Sequence, residues 1–335
     1  MSTPPERIPP VALTPAAPHV TALQAMTIST ADPDALAALF IDGLGWQAFA
    51  EHPVESLIES AWGVAPGSAG RIARVLRSGS ATRGMVRIVA GCERPRSRPM
   101  AARWAGVEMI VGHDLDGLHA RLSRHAGFRT FVPPSDWDWT EYGSNLHRAF
   151  IGTAPGGTHL AFTMGLTQPT GREFPATPAQ VGHVFDVPLV THRFEDCQRF
   201  YCGTLGMVPF LQSAFTDHLW HRLWKLPPGS PARLDIYKGH APGTGLGGIE
   251  LQGYEPAIVD PEPAPADRFD GGACLLTYTS DDLDAAHAAV AADPAVHGLS
   301  LPRPIDAAPY RGARAFAFRG PIGERVEIVE RPWES

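Results

Sequence analysis

The sequence predicts an α+β chain built from four βαβββ modules that pair into two half-barrel domains. Two observations carry this expectation. Late segments repeat early ones at a nearly constant offset, and each repeat has one strand, one helix and shorter strand-like runs separated by Gly/Pro turns. A unit of roughly sixty to seventy residues exposes an apolar sheet face that only a partner unit can cover.

The chain opens on "MSTPPERIPPVALTPAAPHV", which is proline-rich and lacks an apolar signal core, so residues 1–19 are expected to form a disordered arm. The first module follows with "MTISTADPDALAALFIDGLGW": a strand, a turn at Asp32-Pro33, an amphipathic helix and a Leu44-Gly45 stop. The third module has the same order in "VFDVPLVTHRFEDCQRFYCGTLGM", ending on Leu205-Gly206. Further on, "AWGVAPGSAGR" parallels "LWKLPPGSPAR", so that Trp62 matches Trp224, Gly67 matches Gly229 and Arg71 matches Arg233. The second and fourth modules match in "HDLDGLHARL" against "DDLDAAHAAV" and in "HRAFIGTAPGGTHLAF" against "ARAFAFRGPIGERVEI". The four units span roughly 20–95, 103–166, 180–255 and 270–333. Pairing the first with the second and the third with the fourth gives domains at 20–166 and 180–335, with a linker at 167–179.

Composition narrows the function. The chain has 335 residues, a net charge of -7 and dispersed Lys and Arg, which argues against nucleic acid or an anionic membrane as partner. No apolar run is long enough to span a bilayer, and the protein is expected to be cytoplasmic. The four cysteines (Cys92, Cys197, Cys202 and Cys274) lack zinc-type spacing and are expected to be reduced thiols. A small molecule is the expected partner, and a homodimer is left open.

The stretches "GHVFDV…CQRFYCGTLGM", "TYTSDDLDAAHAAV" and "GERVEIVERP" resemble the vicinal oxygen chelate superfamily. Its members include glyoxalase I, extradiol dioxygenases, methylmalonyl-CoA epimerase and bleomycin-resistance proteins. The resemblance covers nearly the whole chain after residue 20, and it is specific for fold rather than for reaction. It implies metal ligands on the first and last strands of paired modules.

Carried over position by position, the resemblance places ligands at His183, Glu250 and Glu327, with Leu275 at the fourth position. The first half offers Ala25, Arg87, Val107 and Ala161, so the metal site is expected in the C-terminal domain alone. The implied cofactor is one divalent ion (Mn, Fe, Zn, Ni or Co) that leaves coordination positions for adjacent substrate oxygens. Taken singly, from its own residues, His183 reads as a core histidine and each glutamate as a solvent-facing strand residue; it is their joint fall on the implied positions that favours the metal. The implied chemistry is lyase or isomerase chemistry through an enolate or enediolate, with Glu250 or Glu327 as general base. The alternatives are an extradiol-type dioxygenase and a non-catalytic binding or resistance protein.

Tyr310 and Arg314 are candidate substrate contacts, although the match of Arg314 to Arg148 favours a structural role for both. His218 and His221 read as a solvated helix face, and "GTGLGG" as a turn rather than a phosphate loop. The aromatic stretch "PSDWDWTEYG" is open between a surface loop and a cavity cover.

Overall fold

The computed structural model describes residues 17–79, 81–91, 104–216, 218–240, 248–255, 267–269 and 271–334. Most of the N-terminal arm, Cys92, nearly all of "GTGLGG" and most of the last linker lie outside these residues. The fold class is the expected one: α+β, with four βαβββ-like modules.

The first module contains β1 (Leu23–Thr30), α1 (Pro33–Ala38), β2 (Gln47–Pro53), α2 (Ser56–Ala61), β3 (Ile72–Arg77) and β4 (Met85–Ala90). In the second are β5 (Val107–Val111), α3 (Leu115–Leu122), β6 (Arg129–Asp138), β7 (Leu146–Thr153) and β8 (His159–Gly165). The third has β9 (Val181–Asp186), β10 (Pro188–Val190), α4 (Phe194–Gln198), β11 (Val208–Phe215), α5 (Leu219–Trp224), β12 (Ala232–Lys238) and β13 (Gly248–Tyr254). The fourth holds β14 (Gly272–Thr279), α6 (Leu283–Ala292), β15 (Arg303–Pro304), β16 (Arg314–Arg319) and β17 (Arg325–Val329).

In three of the four modules an Asp cap starts the helix that follows the first strand. Asp32, Asp114 and Asp282 cap α1, α3 and α6, each accepting a hydrogen bond from the backbone N–H three residues on. The Leu-Gly stops are left-handed, with Gly45 at φ 73° and Gly206 at φ 71°, where a β-carbon would be strained. A β-carbon on Gly206 would also lie 2.2 Å from the Ala17 carbonyl oxygen.

The modules do not pair as expected. An eight-stranded sheet runs β15-β16-β17-β14-β1-β4-β3-β2, joining the first module to the fourth through antiparallel β1 and β14. The second and third modules meet where β5 pairs with β9, in a five-stranded sheet β6-β7-β8-β5-β9. The third module continues in a four-stranded sheet, β10-β13-β12-β11, after a break at Val187. Homologous modules present equivalent first strands, so either partner would cover the same apolar face. Repetition in sequence therefore reveals the modules but not their pairing. No described helix is long and apolar enough to cross a membrane.

The two barrels touch at Gly84. Val184 N–H donates to the Gly84 carbonyl at 2.9 Å, and a β-carbon on Gly84 would lie 2.1 Å from the Val184 oxygen. The largest apolar cluster packs helices against the sheets of both barrels, and two further clusters fill the barrel interiors.

Candidate metal centre

The barrel of the second and third modules encloses three acids. Glu108 comes from β5, Asp186 from the end of β9 and Glu250 from β13, and a carboxylate oxygen of each lies within 4.8 Å of the others. All three are in strands that otherwise read as apolar: "VEMIV", "VFD" and "GIEL". Register irregularities between β5 and β9 begin immediately after Glu108, on either side of Met109, and the strand breaks immediately after Asp186. A bulge of this kind re-aims a side chain that strict alternation would turn away.

Each acid is held differently. The Thr163 hydroxyl donates to Glu108 Oε1, and Gln252 Nε2 donates to Glu250 Oε1. Tyr254 donates to Gln252 Oε1 at 2.9 Å, which fixes the amide so that its N–H faces Glu250. Val187 N–H donates to Asp186 Oδ1 at 2.9 Å, while Asp186 Oδ2 is buried with no hydrogen-bond partner among the described residues. A buried carboxylate oxygen without a donor is costly unless a proton or cation occupies its lone pairs.

Electrostatics agree. Burial pushes Glu250 up to about 8, with Glu108 adding repulsion and Gln252 opposing the rise. Glu108 is pushed up to about 7, again by burial, against the Thr163 hydrogen bond. Asp186 rises well above the usual carboxylate range through burial and then the charges of Glu250 and Glu108. These are the shifts of carboxylates crowded together without a countercharge. A dication would supply that charge, and three oxygen donors suit a hard ion such as Mg²⁺ or Mn²⁺. The residues therefore fit the metal that the resemblance implies.

Above the acids is a cavity of about 80 Å³. Four tryptophans line it: Trp137, Trp139, Trp220 and Trp224. The "PSDWDWTEYG" stretch is thus no detached surface loop: β6 and the turn after it bring Trp137 and Trp139 into the cavity wall. Trp137 and Trp139 each meet Trp220 edge-to-face, at 6.3 and 5.4 Å between ring centroids.

His147 on β7 also lines the cavity. It lies two residues from Ala149, which pairs with Thr163. Its ring stacks on Trp137, and burial lowers its pKa to about 3, so it is neutral at ordinary pH. His147 Nδ1 lies 3.1 Å from Asn145 Oδ1, and Asn145 Nδ2 donates to the Arg172 carbonyl at 3.2 Å. That carboxamide oxygen can only accept, so Nδ1 carries the imidazole proton and Nε2 keeps its lone pair.

Of the residues expected to bind metal, only Glu250 belongs to this group. His183 instead lines a small depression with Arg83 at the contact between barrels, against Gly84. Burial and the Arg83 charge lower its pKa to about 4. The first half, expected to supply no ligand, does bring an acid to this group: Glu108, one residue from Val107.

Glu327 sits in the other barrel and meets a cation already there. Arg87 Nη2 reaches Glu327 Oε2 at 3.0 Å, with both side chains essentially fully buried. Arg87 Nε donates to Thr27 at 2.9 Å, and its Nη2 to Thr277 at 3.2 Å. Trp62 and Tyr310 donate to Glu327 Oε1 at 2.9 and 2.7 Å. The guanidinium lies 4.4 Å from the Trp62 ring centroid. Thr27, Arg87, Thr277 and Glu327 thus occupy first- and last-strand positions of the outer barrel, with a guanidinium in place of a metal.

Tyr310 belongs to this network rather than to the cavity. Arg314 pairs with Asp284 at 3.0 Å and Glu330 at 3.1 Å, as Arg148 pairs with Asp116 and Asp136. His218 and His221 are buried rather than solvated, His218 capping α5 and stacking on Trp139 at 3.9 Å. Cys197 and Cys202 are buried free thiols, and Cys274 is buried as well.

Solved structures place the fold. The chain is similar to a mutant of glyoxalase I from Zea mays, with a TM-score of 0.63 at 13% identity over 92% of this chain and 94% of that one. Glyoxalase I from Zea mays itself gives a TM-score of 0.59 at 12% identity, covering 92% of each chain. A Bacillus subtilis protein provisionally assigned as a dioxygenase gives 0.60 at 10% identity, over 93% of this chain and 86% of that one. No protein-family model and no curated protein matches the sequence.

Proposed function

We propose, for a chain with the vicinal oxygen chelate fold, a divalent-metal-dependent enzyme acting on a small substrate through adjacent oxygens. Glu108, Asp186 and Glu250 would hold the ion. The observation that carries this reading is the convergence of two buried acids and one half-buried acid, one with an oxygen unpartnered among the described residues, in the floor of a cavity.

When bound, the ion supplies Lewis-acid polarisation of a substrate carbonyl, which acidifies the neighbouring C–H. Three carboxylates exceed the charge of a dication by one, so one of them is free to carry a proton. Glu108 suits that task. It is the least buried of the three, its Oε1 is held by Thr163, and its pKa lies near neutrality. Glu108 Oε2 would take a proton from the substrate carbon and return it to the same or the adjacent carbon. Asp186 and Glu250 stay in place, the latter braced by Gln252 and Tyr254. Enolate-type lyase or isomerase chemistry is the activity this favours.

The ring-cleaving alternative has less support. The donor set contains no imidazole, whereas a two-His-one-carboxylate centre is the usual frame for iron and dioxygen. The test uses carbonyl substrates with an adjacent hydroxyl and Mn²⁺-loaded protein under strict anaerobiosis. Exchange of a carbon-bound proton into solvent is expected, and its loss in Glu108→Gln. Oxygen uptake matching substrate loss, with no turnover under nitrogen, would reject the proposal.

A further inference from the structure

The composition of the cavity wall narrows the substrate class. Among the described residues no Lys or Arg lines the cavity; the charged ones are the three acids themselves. Arg172 and Lys238 lie over the ring of Phe210, at 4.7 and 5.4 Å from its centroid, and Phe210 is not a lining residue. The upper wall is instead tryptophan, with Phe174 and Phe185 completing it. Away from the floor, a carboxylate or phosphate on the ligand would be stripped of water without meeting a countercharge from the wall. A flat ring would bury its faces against indole, and aromatic contacts add to the gain from area alone.

Among these apolar walls His147 is a polar group of fixed role. Its Nδ1 proton is committed to Asn145, and Nε2 has no partner among the described residues. Nε2 can therefore only accept, and at neutral pH it adds no charge. Two residues of strand separate it from the Ala149–Thr163 pair beside Glu108, a distance of about 7 Å. One aromatic ring spans that interval.

We propose that the ligand is an uncharged, single-ring aromatic compound. Two adjacent oxygens face the acidic floor, and a hydroxyl or N–H elsewhere on the ring donates to His147 Nε2. This rests on the metal-enzyme reading for the orientation of the oxygens. Stacking and the His147 contact belong to the wall and persist without metal. His147 is here a specificity-determining residue.

The experiment is isothermal titration of the full chain, with and without Mn²⁺, using three kinds of probe. The first is 2-hydroxyacetophenone, with its carbonyl and hydroxyl on adjacent side-chain carbons, the second its derivatives with a further hydroxyl at ring position 3′ or 4′, and the third S-hexylglutathione, an anionic probe with an apolar tail. Saturable binding of the ring compounds is expected, tighter by about tenfold for one dihydroxy isomer, the scale of a satisfied buried hydrogen bond. His147→Asn keeps a donor for Asn145 while deleting the Nε2 acceptor, so it should abolish that tenfold preference and leave 2-hydroxyacetophenone binding in place. Trp224→Phe should weaken all ring probes alike.

Tighter binding of S-hexylglutathione than of any ring compound would overturn the proposal. So would an unchanged preference in a folded His147→Asn variant, or no ring binding by protein shown to hold Mn²⁺. Ring binding and its His147 dependence in protein that takes up no Mn²⁺ would support the substrate class while rejecting the metal reading.

Discussion

Crowding three acids without a countercharge must register in stability, and removing one of them isolates the effect. Glu250 has an ordinary value near 4.5 and is pushed up to about 8. Between those values the folded chain keeps the proton while the unfolded chain releases it, so stability falls as pH rises. Each unit of pH in that window costs about 1.4 kcal/mol for one such group. At pH 7 the loss from Glu250 is about 3 kcal/mol, and below pH 4.5 it vanishes. Glu250→Gln removes the titration and keeps an oxygen to accept from Gln252. In chelator, urea unfolding of the two proteins should give similar midpoints at pH 5. At pH 7.5 the variant should be the more stable, by up to about 3 kcal/mol. Mn²⁺ at a hundred times its dissociation constant should return about 2.7 kcal/mol to the wild type and little to the variant. Parallel pH profiles for the two proteins, or equal stabilisation of both by Mn²⁺, would refute the reasoning.

Three further outcomes are expected. Asp186→Asn should lower Mn²⁺ affinity at least about tenfold, whereas His183→Ala should leave it within about twofold; competition against a fluorescent chelator reads both. Mn²⁺ uptake by dialysed protein should saturate at about one ion per chain, because Arg87 occupies the outer barrel, and two equivalent ions would contradict that assignment. Arg87→Met leaves Glu327 buried and unpaired and should cost about 3–5 kcal/mol in urea unfolding, much of it recovered in the double variant with Glu327→Gln.

The fold was largely legible because duplication writes itself into sequence. The paired Leu-Gly stops and Asp caps recur at fixed offsets, and each has a local physical cause. The candidate site was legible only in part. Glu250 follows the regular pleat of β13 and was found; Glu108 and Asp186 sit at bulges, where counting residues along a strand gives the wrong face. Glu327 does occupy a last-strand position, but its neighbour in space is Arg87, brought there by a pairing that repetition does not specify. One signal was present and unused: a single acid inside an otherwise apolar strand, at "VEMIV" and "HVFDV", is expensive to bury and so points to a partner. The tryptophan stretch was visible as a composition anomaly, but its meaning depends on Trp220 and Trp224 approaching from another module.

The crossed pairing of modules bears on how the chain reaches its fold during synthesis. Thr21 and Thr279 hydrogen-bond to each other although they are 258 residues apart, whereas β5 and β9 meet across a much shorter stretch. Closure is therefore nested. The inner barrel with its three acids can assemble while the ribosome is still producing the fourth module, and the outer one cannot. Until β14 emerges, β1 waits with one side unpaired, a template for mispairing with another nascent copy. Loop-closure entropy makes this last docking the slow step. The slowest-folding region of the molecule should thus be the outer barrel around Arg87.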